Sequence, residues 1–241
     1  MGGDALMKFS LISDMHVDHP QPKTPYDLLE KIVVVAGDTA NGLDGLKFLQ
    51  KLRNKGFIVK AVDGNHEHYR NASQGRPERE TTARFREEHP RYSEEEGVSF
   101  ILANGWYVVE HEALWRHRMN DSRMGSLTAE QVNALATQDW LSVRQRLEEV
   151  KAYQKKAVVV THTAPCIETL NPEYAGDYSN VWYHNPHMRN LLSEFQEQIL
   201  VWCHGHTHAP NEAIVEGVRV LCNPRGYPGE NPNWKPLTVE V

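Results

Sequence analysis

The sequence contains no apolar run that approaches the ~20 residues needed to cross a bilayer, and its N-terminus lacks the basic and apolar regions of a signal peptide. Both absences argue against a membrane protein, and we expect a cytoplasmic location. A basic excess is also missing: the net charge of -6 provides no overall attraction to a polyanion. A nucleic acid would therefore have to be bound through a local patch.

Cysteines are few, and Cys166, Cys203 and Cys222 form neither an even disulfide set nor a C-x-x-C pair. We expect reduced, partly buried thiols. A chain of 241 residues with 40% hydrophobic content suits one large domain spanning residues 1–241. Within it, residues 1–6 are expected to be a tag or loose extension, with Met7 a plausible start. The oligomeric state is left open.

Short apolar runs predict strands at residues 8–13, 32–36, 57–62, 157–161 and 199–203. Helices are expected at residues 43–55 and 186–198, and a third helix opens at a capping box formed by Thr128 and Gln131. Residues 98–102 and 106–109 resemble a hairpin joined at Asn104-Gly105. Residues 213–215 and 218–222 predict a second hairpin, and residues 237–241 are a further strand candidate.

The composition of residues 70–97 shifts towards charged and polar types. We interpret this segment as a surface insertion that is partly helical around residues 78–88. It is either a lid over a site or simply a solvated face, and a run of mixed charges more often has the second role.

The five strands of the first group all end in side chains that can bind a metal, and histidine is abundant, with 13 in the chain. A lone histidine or Gly-Asp pair usually has a structural role, but five coincidences at one sheet edge argue against that explanation. The residues are Asp14 with His16, Asp38, Asn65 with His66, His162, and His206 with His208.

Without His66, these are seven donors, which are too many for one tetrahedral zinc and a natural number for two ions that share a carboxylate. Oxygen and imidazole donors without thiolate favour manganese, iron, zinc or similar divalent ions over calcium or magnesium. We therefore expect two divalent metal ions.

These blocks resemble, in order and spacing, the five blocks of the calcineurin-like metallophosphoesterase superfamily: Asp14-x-His16, Gly37-Asp38, Gly64-Asn65-His66-Glu67, His162 and Gly205-His206-Thr207-His208. The resemblance implies an α/β fold, a four-layer α/β/β/α sandwich of two mixed sheets flanked by helices. It implies that one ion is held by Asp14, His16 and His208, that the other is held by Asn65, His162 and His206, that Asp38 bridges them, and that His66 is catalytic.

Two details narrow the resemblance. Thr39-Ala40-Asn41-Gly42 lacks the Asp-Arg-Gly that follows the bridging aspartate in protein Ser/Thr phosphatases, which disfavours that branch. Trp115, the block at residues 119–121 and the block at residues 223–227 are similar to small bacterial or phage phosphohydrolases of the cyclic-nucleotide-phosphodiesterase-like group.

The implied reaction is hydrolysis of a phosphodiester by in-line attack of a metal-bridging hydroxide, with His66 assisting the leaving group. The less favoured alternative for His66 is that it only orients a metal ligand. The expected substrate is a phosphorylated small molecule or nucleotide. A phosphomonoesterase, a phosphoprotein phosphatase and a non-catalytic interaction scaffold are the alternatives.

Two residues are candidates for substrate contact. Arg225 can clamp two phosphate oxygens, or it is a surface arginine paired with a carboxylate. His184 belongs to an aromatic stretch, residues 182–185, that either lines the pocket or packs beneath a loop.

Overall fold

The structure is a computed structural model that describes residues 6–69, 78–125 and 127–241. Residues 1–5 of the expected extension, which spans 1–6, and residues 70–77 of the expected insertion, which spans 70–97, lie outside the described residues. No helix in the described part of the chain is long and apolar enough to cross a membrane.

A four-stranded sheet carries three of the predicted metal-binding blocks. It contains β1 (Lys8–Ile12), β2 (Ile32–Ala36), β3 (Ile58–Val62) and a strand from the end of the chain, Leu237–Glu240, in the order Leu237–Glu240, β1, β2, β3. The first three strands are parallel, and Leu237–Glu240 pairs antiparallel with β1. β2 is buried along its whole length, as its β-branched residues predict.

The second sheet has six strands within the described residues. They are β4 (Tyr92–Glu95), β5 (Val98–Leu102), β6 (Lys156–Val160), β7 (Ile199–His204), β8 (Asn211–Val215) and β9 (Val218–Cys222), in the order β4, β5, β6, β7, β9, β8. Leu237–Glu240 is hereafter β10. Strands β5, β6, β7 and β9 are parallel to one another, and the two edge strands, β4 and β8, are antiparallel to their neighbours. The predicted hairpin of β8 and β9 is confirmed.

The predicted hairpin at Asn104-Gly105 is wrong. β5 pairs with β4 and β6, and residues 106–109 do not form a strand. The hairpin turn lies instead at Glu96 and Gly97, which have φ of 50° and 81° and so satisfy the positive φ that a type I′ turn requires. The Asn104 side chain is engaged elsewhere, since it donates to the Asp63 carbonyl at 2.9 Å.

The helices described are α1 (Asp44–Asn54), α2 (Glu78–Glu88), α3 (Glu112–Arg118), α4 (Asp121–Met124), α5 (Ala129–Ala152) and α6 (Arg189–Glu194). The capping box that opens α5 is confirmed, because the Thr128 hydroxyl accepts from the Gln131 amide at 3.2 Å and the Gln131 side chain accepts from the Thr128 amide at 2.8 Å. α6 is shorter than predicted, since the Asn185 side chain accepts from His187 N and forms a turn before the helix begins.

The later part of the expected insertion belongs to the fold. Phe85 of α2 is buried in the core cluster beside β2, and Arg86 pairs with Asp63 at 2.7 Å, just after β3. β4 is an edge strand of the larger sheet. The described part of this segment therefore packs against the smaller sheet through α2 and extends the larger sheet through β4. It is not simply a solvent-exposed insertion.

The two sheets pack face to face around apolar side chains that include Phe9 and Val34 from the smaller sheet and Phe100 and Val158 from the larger one. α1 and α2 cover the outer face of the smaller sheet, and α5 and α6 cover that of the larger. The predicted four-layer α/β/β/α sandwich is thus confirmed. The three cysteines are free and buried.

Candidate metal centre

The candidate centre forms where β1, β2, β3, β6 and β7 end. A positive φ is adopted by most of the predicted ligands here: Asp14 (50°), His16 (39°), Asp38 (50°), His206 (69°) and His208 (51°). Residues other than glycine seldom occupy this region, and such strained positions cluster at functional sites. The backbone turns sharply at each strand end, which aims these side chains back at a common point.

The glycines before two ligands are required by close packing. A Cβ on Gly37 would collide with the imidazole of His162, and a Cβ on Gly64 would collide with the Asp38 carboxylate. Since real side chains do not tolerate such contacts, the Gly-Asp and Gly-Asn pairs of the sequence are a packing requirement. They let neighbouring strand ends approach closely enough to share ligands.

The first ligand group is formed by Asp14, His16, Asp38 and His208, whose donor atoms all lie within 4.8 Å of one another. The Nε2 atoms of His16 and His208 are 3.1 Å apart, and His208 Nε2 is 3.5 Å from Asp14 Oδ1. Asp14 Oδ2 is buried and has no hydrogen-bond partner among the residues that the structure describes. A buried, unpartnered carboxylate oxygen beside two imidazoles fits a cation.

The second group is formed by Asp38, His162 and His206, again within 4.8 Å. Asn65 joins it, because Asn65 Oδ1 lies 2.9 Å from His162 Nε2. Asp38 belongs to both groups, and its Oδ1 is 3.3 Å from His162 Nε2. The arrangement therefore provides one carboxylate that two ions can share.

Hydrogen bonds behind the imidazoles fix which nitrogen faces the site. His162 Nδ1 is 2.9 Å from the Ala36 carbonyl, and His206 Nε2 is 3.1 Å from the Trp182 carbonyl. His208 Nδ1 is 2.6 Å from Glu230 Oε2. Because carbonyl and carboxylate oxygens only accept, each of these nitrogens carries a proton, and the other ring nitrogen is the one that faces the site.

The pKa values differ between the ligand imidazoles: those of His16 and His206 are lowered, and that of His162 is raised by Asp38. Burial lowers the pKa of His16 and of His206 to about 3, so both rings are neutral, as metal ligands must be. Burial alone would also lower the pKa of His162, but the adjacent Asp38 carboxylate raises it to about 10. A divalent cation would take over the role of balancing Asp38.

His66 lies beside the two groups and is not a member of either among the described residues. Its Nδ1 is 2.8 Å from Asn41 Oδ1, which makes Nδ1 the protonated nitrogen. Its Nε2 is 3.8 Å from Asp38 Oδ2 and 3.2 Å from the Tyr227 hydroxyl. On the side away from Asn41, the ring therefore turns Nε2 towards Asp38 and the Tyr227 hydroxyl.

A cavity of about 520 Å³ opens above the site. Its floor includes Asp38, Asn65, His66, His206 and His208, and its walls are largely polar or aromatic: Arg118, Asn120, Asn171, Asn180, Tyr183 and Tyr227. Four further residues form hydrogen bonds with predicted site residues: Asn41, Asp121, Tyr227 and Glu230. The sequence patterns assign no role to them. The sequence signals at residues 119–121 and 223–227 were interpreted only as a family likeness.

The two predicted substrate residues are not brought to the cavity lining. The Arg225 guanidinium lies 5.3 Å from the centre of the Trp234 ring and donates to the Pro22 carbonyl, so it braces two loops. His184 Nδ1 is 2.9 Å from the Asn180 carbonyl. Of the aromatic stretch, Trp182 is buried and only Tyr183 lines the cavity.

Comparisons with known proteins agree with this geometry. A family model described as calcineurin-like phosphoesterase matches residues 7–210. An uncharacterized protein of Acanthamoeba polyphaga mimivirus is 24% identical over 245 residues, which cover 89% of this chain and 84% of that protein.

Two solved structures share the fold. The phosphopantetheinyl hydrolase of Mycobacterium tuberculosis superposes with a TM-score of 0.72 at 21% identity, covering 96% of this chain and 94% of that one. A dimetal phosphatase of Danio rerio superposes with a TM-score of 0.54 at 16% identity, covering 91% and 87%.

Proposed function

Since the chain belongs to the calcineurin-like phosphoesterase family, it is a metal-dependent phosphoric ester hydrolase, and we propose that it cleaves a phosphodiester in a phosphorylated small molecule or nucleotide. The observation that carries the proposal is the arrangement around Asp38. This carboxylate joins two ligand groups at the floor of the cavity, and His66 Nε2 lies 3.8 Å from it.

In this proposal one divalent ion is held by Asp14, His16 and His208, a second by Asn65, His162 and His206, and both by Asp38. The donor set fits, because the rings of His16 and His206 are neutral and the backs of the other imidazoles are hydrogen-bonded so that one nitrogen faces the site. Asp14 Oδ2 is also buried without a hydrogen-bond partner among the described residues. Manganese, iron, zinc or a similar ion suits such mixed donors. Two such ions supply a water activated near neutral pH and positive charge for the phosphoryl oxygens.

His66 is proposed to donate a proton to the leaving oxygen. Asn41 holds the ring through Nδ1, so that Nε2 points into the cavity, where the Tyr227 hydroxyl is its present neighbour. An amide partner orients the ring without adding a negative charge behind it. The ring is therefore held where Nε2 can contact the leaving oxygen of a bound ester.

The charge of the cavity walls favours a diester over a monoester. Of the described residues that line the cavity, Arg118 is the only lysine or arginine, and its Nη1 is 3.6 Å from Asp177 Oδ1. A monoester dianion would find little positive charge in these walls to stabilise its second negative charge. A diester carries one negative charge, which the ions can balance. A volume of about 520 Å³ also suits a drug-sized substrate.

The test is hydrolysis of paired aryl esters by the purified chain with manganese. We expect bis(4-nitrophenyl) phosphate to be cleaved with a higher kcat/KM than 4-nitrophenyl phosphate. The reverse order would refute the diester preference, and no turnover of either ester with any divalent metal would refute hydrolysis itself.

A second panel then identifies the substrate class. It contains cyclic nucleotides, nucleic-acid ends, phospholipid head groups and phosphopeptides. Phosphopantetheinyl compounds are included because one structural neighbour is named for their hydrolysis. Small diesters should give the highest kcat/KM, and a preference for phosphopeptides would favour the alternative of a phosphoprotein phosphatase.

A further inference from the structure

Asp121 is a buried carboxylate that belongs to neither ligand group yet contacts one of the ligands. It is 4% exposed and stands at the start of α4. Asn65 Nδ2 donates to its Oδ1 at 2.7 Å. Burying a carboxylate costs free energy unless both of its oxygens accept hydrogen bonds. The other hydrogen-bond partners of Asp121 therefore show whether the fold stabilises a carboxylate at this position.

Both oxygens of Asp121 are satisfied by phenols. Tyr69 donates its hydroxyl to Oδ1 at 2.5 Å, and Tyr107 donates its hydroxyl to Oδ2. Trp115 Nε1 in turn donates to the Tyr107 hydroxyl at 2.9 Å. These side chains are all buried, and so the carboxylate is held in one position by donors from separate parts of the chain.

This position determines how the Asn65 amide is oriented. A carboxylate only accepts hydrogen bonds, so the amide must turn its NH₂ towards Asp121, and Asn65 Nδ2 also lies 3.0 Å from the Tyr69 hydroxyl. Its Oδ1 then faces His162 Nε2 at 2.9 Å. The opposite orientation would place two oxygens in contact at Asp121 and present hydrogens, which cannot ligate a cation, to the site.

The distribution of carboxylates gives a second reason to connect Asp121 with the second ligand group. The first ligand group contains Asp14 in addition to Asp38, and Glu230 stands behind His208. The second group shares Asp38 and has no carboxylate of its own, since its other members are two imidazoles and the neutral Asn65 amide. Asp121 is the carboxylate that stands behind this second group, where it polarises the amide oxygen towards a cation.

We propose that Asp121 is a positioning residue that sets the affinity of the second metal site through Asn65. This inference rests on the proposed function, since it takes Asn65, His162 and His206 to hold one of two ions. It predicts that the two sites respond differently when Asp121 loses its charge.

The test is the Asp121→Asn variant, which keeps the shape of the side chain. Manganese binding is followed by equilibrium dialysis with metal analysis, and the coupled Mn²⁺ pair by electron paramagnetic resonance. We expect the parent chain to bind two ions and the variant to retain one, with the second weakened about 10–100-fold and the coupled signal lost.

Asp139→Asn is the matched control. Asp139 is equally buried at 1% exposure, accepts from Gly105 N at 2.8 Å and pairs with Arg91 at 2.7 Å, but contacts no proposed ligand. This control should lower Tm and leave both ions bound. Two ions of parental affinity in Asp121→Asn would overturn the inference, as would an equal loss of metal in Asp139→Asn.

The exchange variant Asn65→Asp/Asp121→Asn is informative even if Asp121→Asn alone does not fold. It restores one amide and one carboxylate to the pair and places the carboxylate nearer the ion. We expect it to bind two ions, and a folded exchange variant that binds one would overturn the inference. A parent chain that binds no ion pair or hydrolyses no phosphate ester would instead refute the proposed function, so the two failures are distinguishable.

Discussion

Replacing His66 by alanine should separate proton donation from metal binding. The side chain contacts Asn41 and Tyr227, whereas the bond that supports Asp38 comes from the backbone, since His66 N donates to Asp38 Oδ1 at 2.9 Å. Alanine keeps that backbone donor, so the shared carboxylate and both ions should stay in place. The loss should therefore fall on kcat.

The size of the loss should depend on the leaving group. A positioned general acid contributes about 10²–10⁴-fold, or about 3–5 kcal/mol of barrier, when the departing oxygen needs a proton. We expect this loss in kcat for a diester with an alkyl leaving group. For a nitrophenyl diester the departing phenolate is stable without a proton, so the same variant should lose less than about tenfold.

The assay compares kcat for the two diesters in the parent chain and in His66→Ala, with bound manganese measured in parallel. Asn41→Ala is the graded control, because it removes only the partner of Nδ1 and should give a smaller loss with the same dependence on the leaving group. Equal losses for both diesters would refute the role of His66 as proton donor. A loss of bound manganese would show that the side chain supports the metal site instead.

Three further results are expected. Asp38→Asn should weaken both ions together, because Asp38 is common to both ligand groups, and metal analysis that shows loss of only one would contradict the shared ligand. A chelator should abolish hydrolysis and lower Tm, and readdition of an ion at 100 times its Kd should restore about 2.7 kcal/mol of stability, measured by denaturant unfolding with and without manganese. Thr128→Ala should cost about 1 kcal/mol of unfolding free energy through loss of the α5 cap, with kcat unchanged; a change in kcat would show that α5 is coupled to the site.

The sequence was sufficient to predict the sandwich and the family, and both are confirmed. The ligands at the strand ends can be predicted because each motif is local: an apolar run is followed within a few residues by Gly-Asp or Gly-Asn-His. The same is true of the capping box, because Thr128 and Gln131 are only three positions apart. The assignment of single ligands to each ion remains a prediction that metal analysis must test.

Features that depend on distant contacts could not be predicted in this way. Asn104-Gly105 has the composition of a hairpin turn, but Asn104 donates to the Asp63 carbonyl and Gly105 N donates to the Asp139 carboxylate, and no local pattern shows these two hydrogen bonds. Asp121 lies 56 positions from Asn65, and its role becomes visible only when both are placed. The sequence predicts a phosphate contact for Arg225, but in the fold its guanidinium packs against the Trp234 ring.

The backbone of the site links metal binding to stability. Asp14, Asp38 and His206 adopt a positive φ, and each such residue costs on the order of 1–3 kcal/mol. Burial raises the pKa of Asp14, which shows that its charged form is poorly accommodated when only protein atoms surround it. A cation bound between these groups would stabilise the charged form of Asp14 and would offset the free-energy cost of the positive φ values. We therefore expect bound ions to stabilise the folded chain, so that a chelator lowers Tm as well as activity.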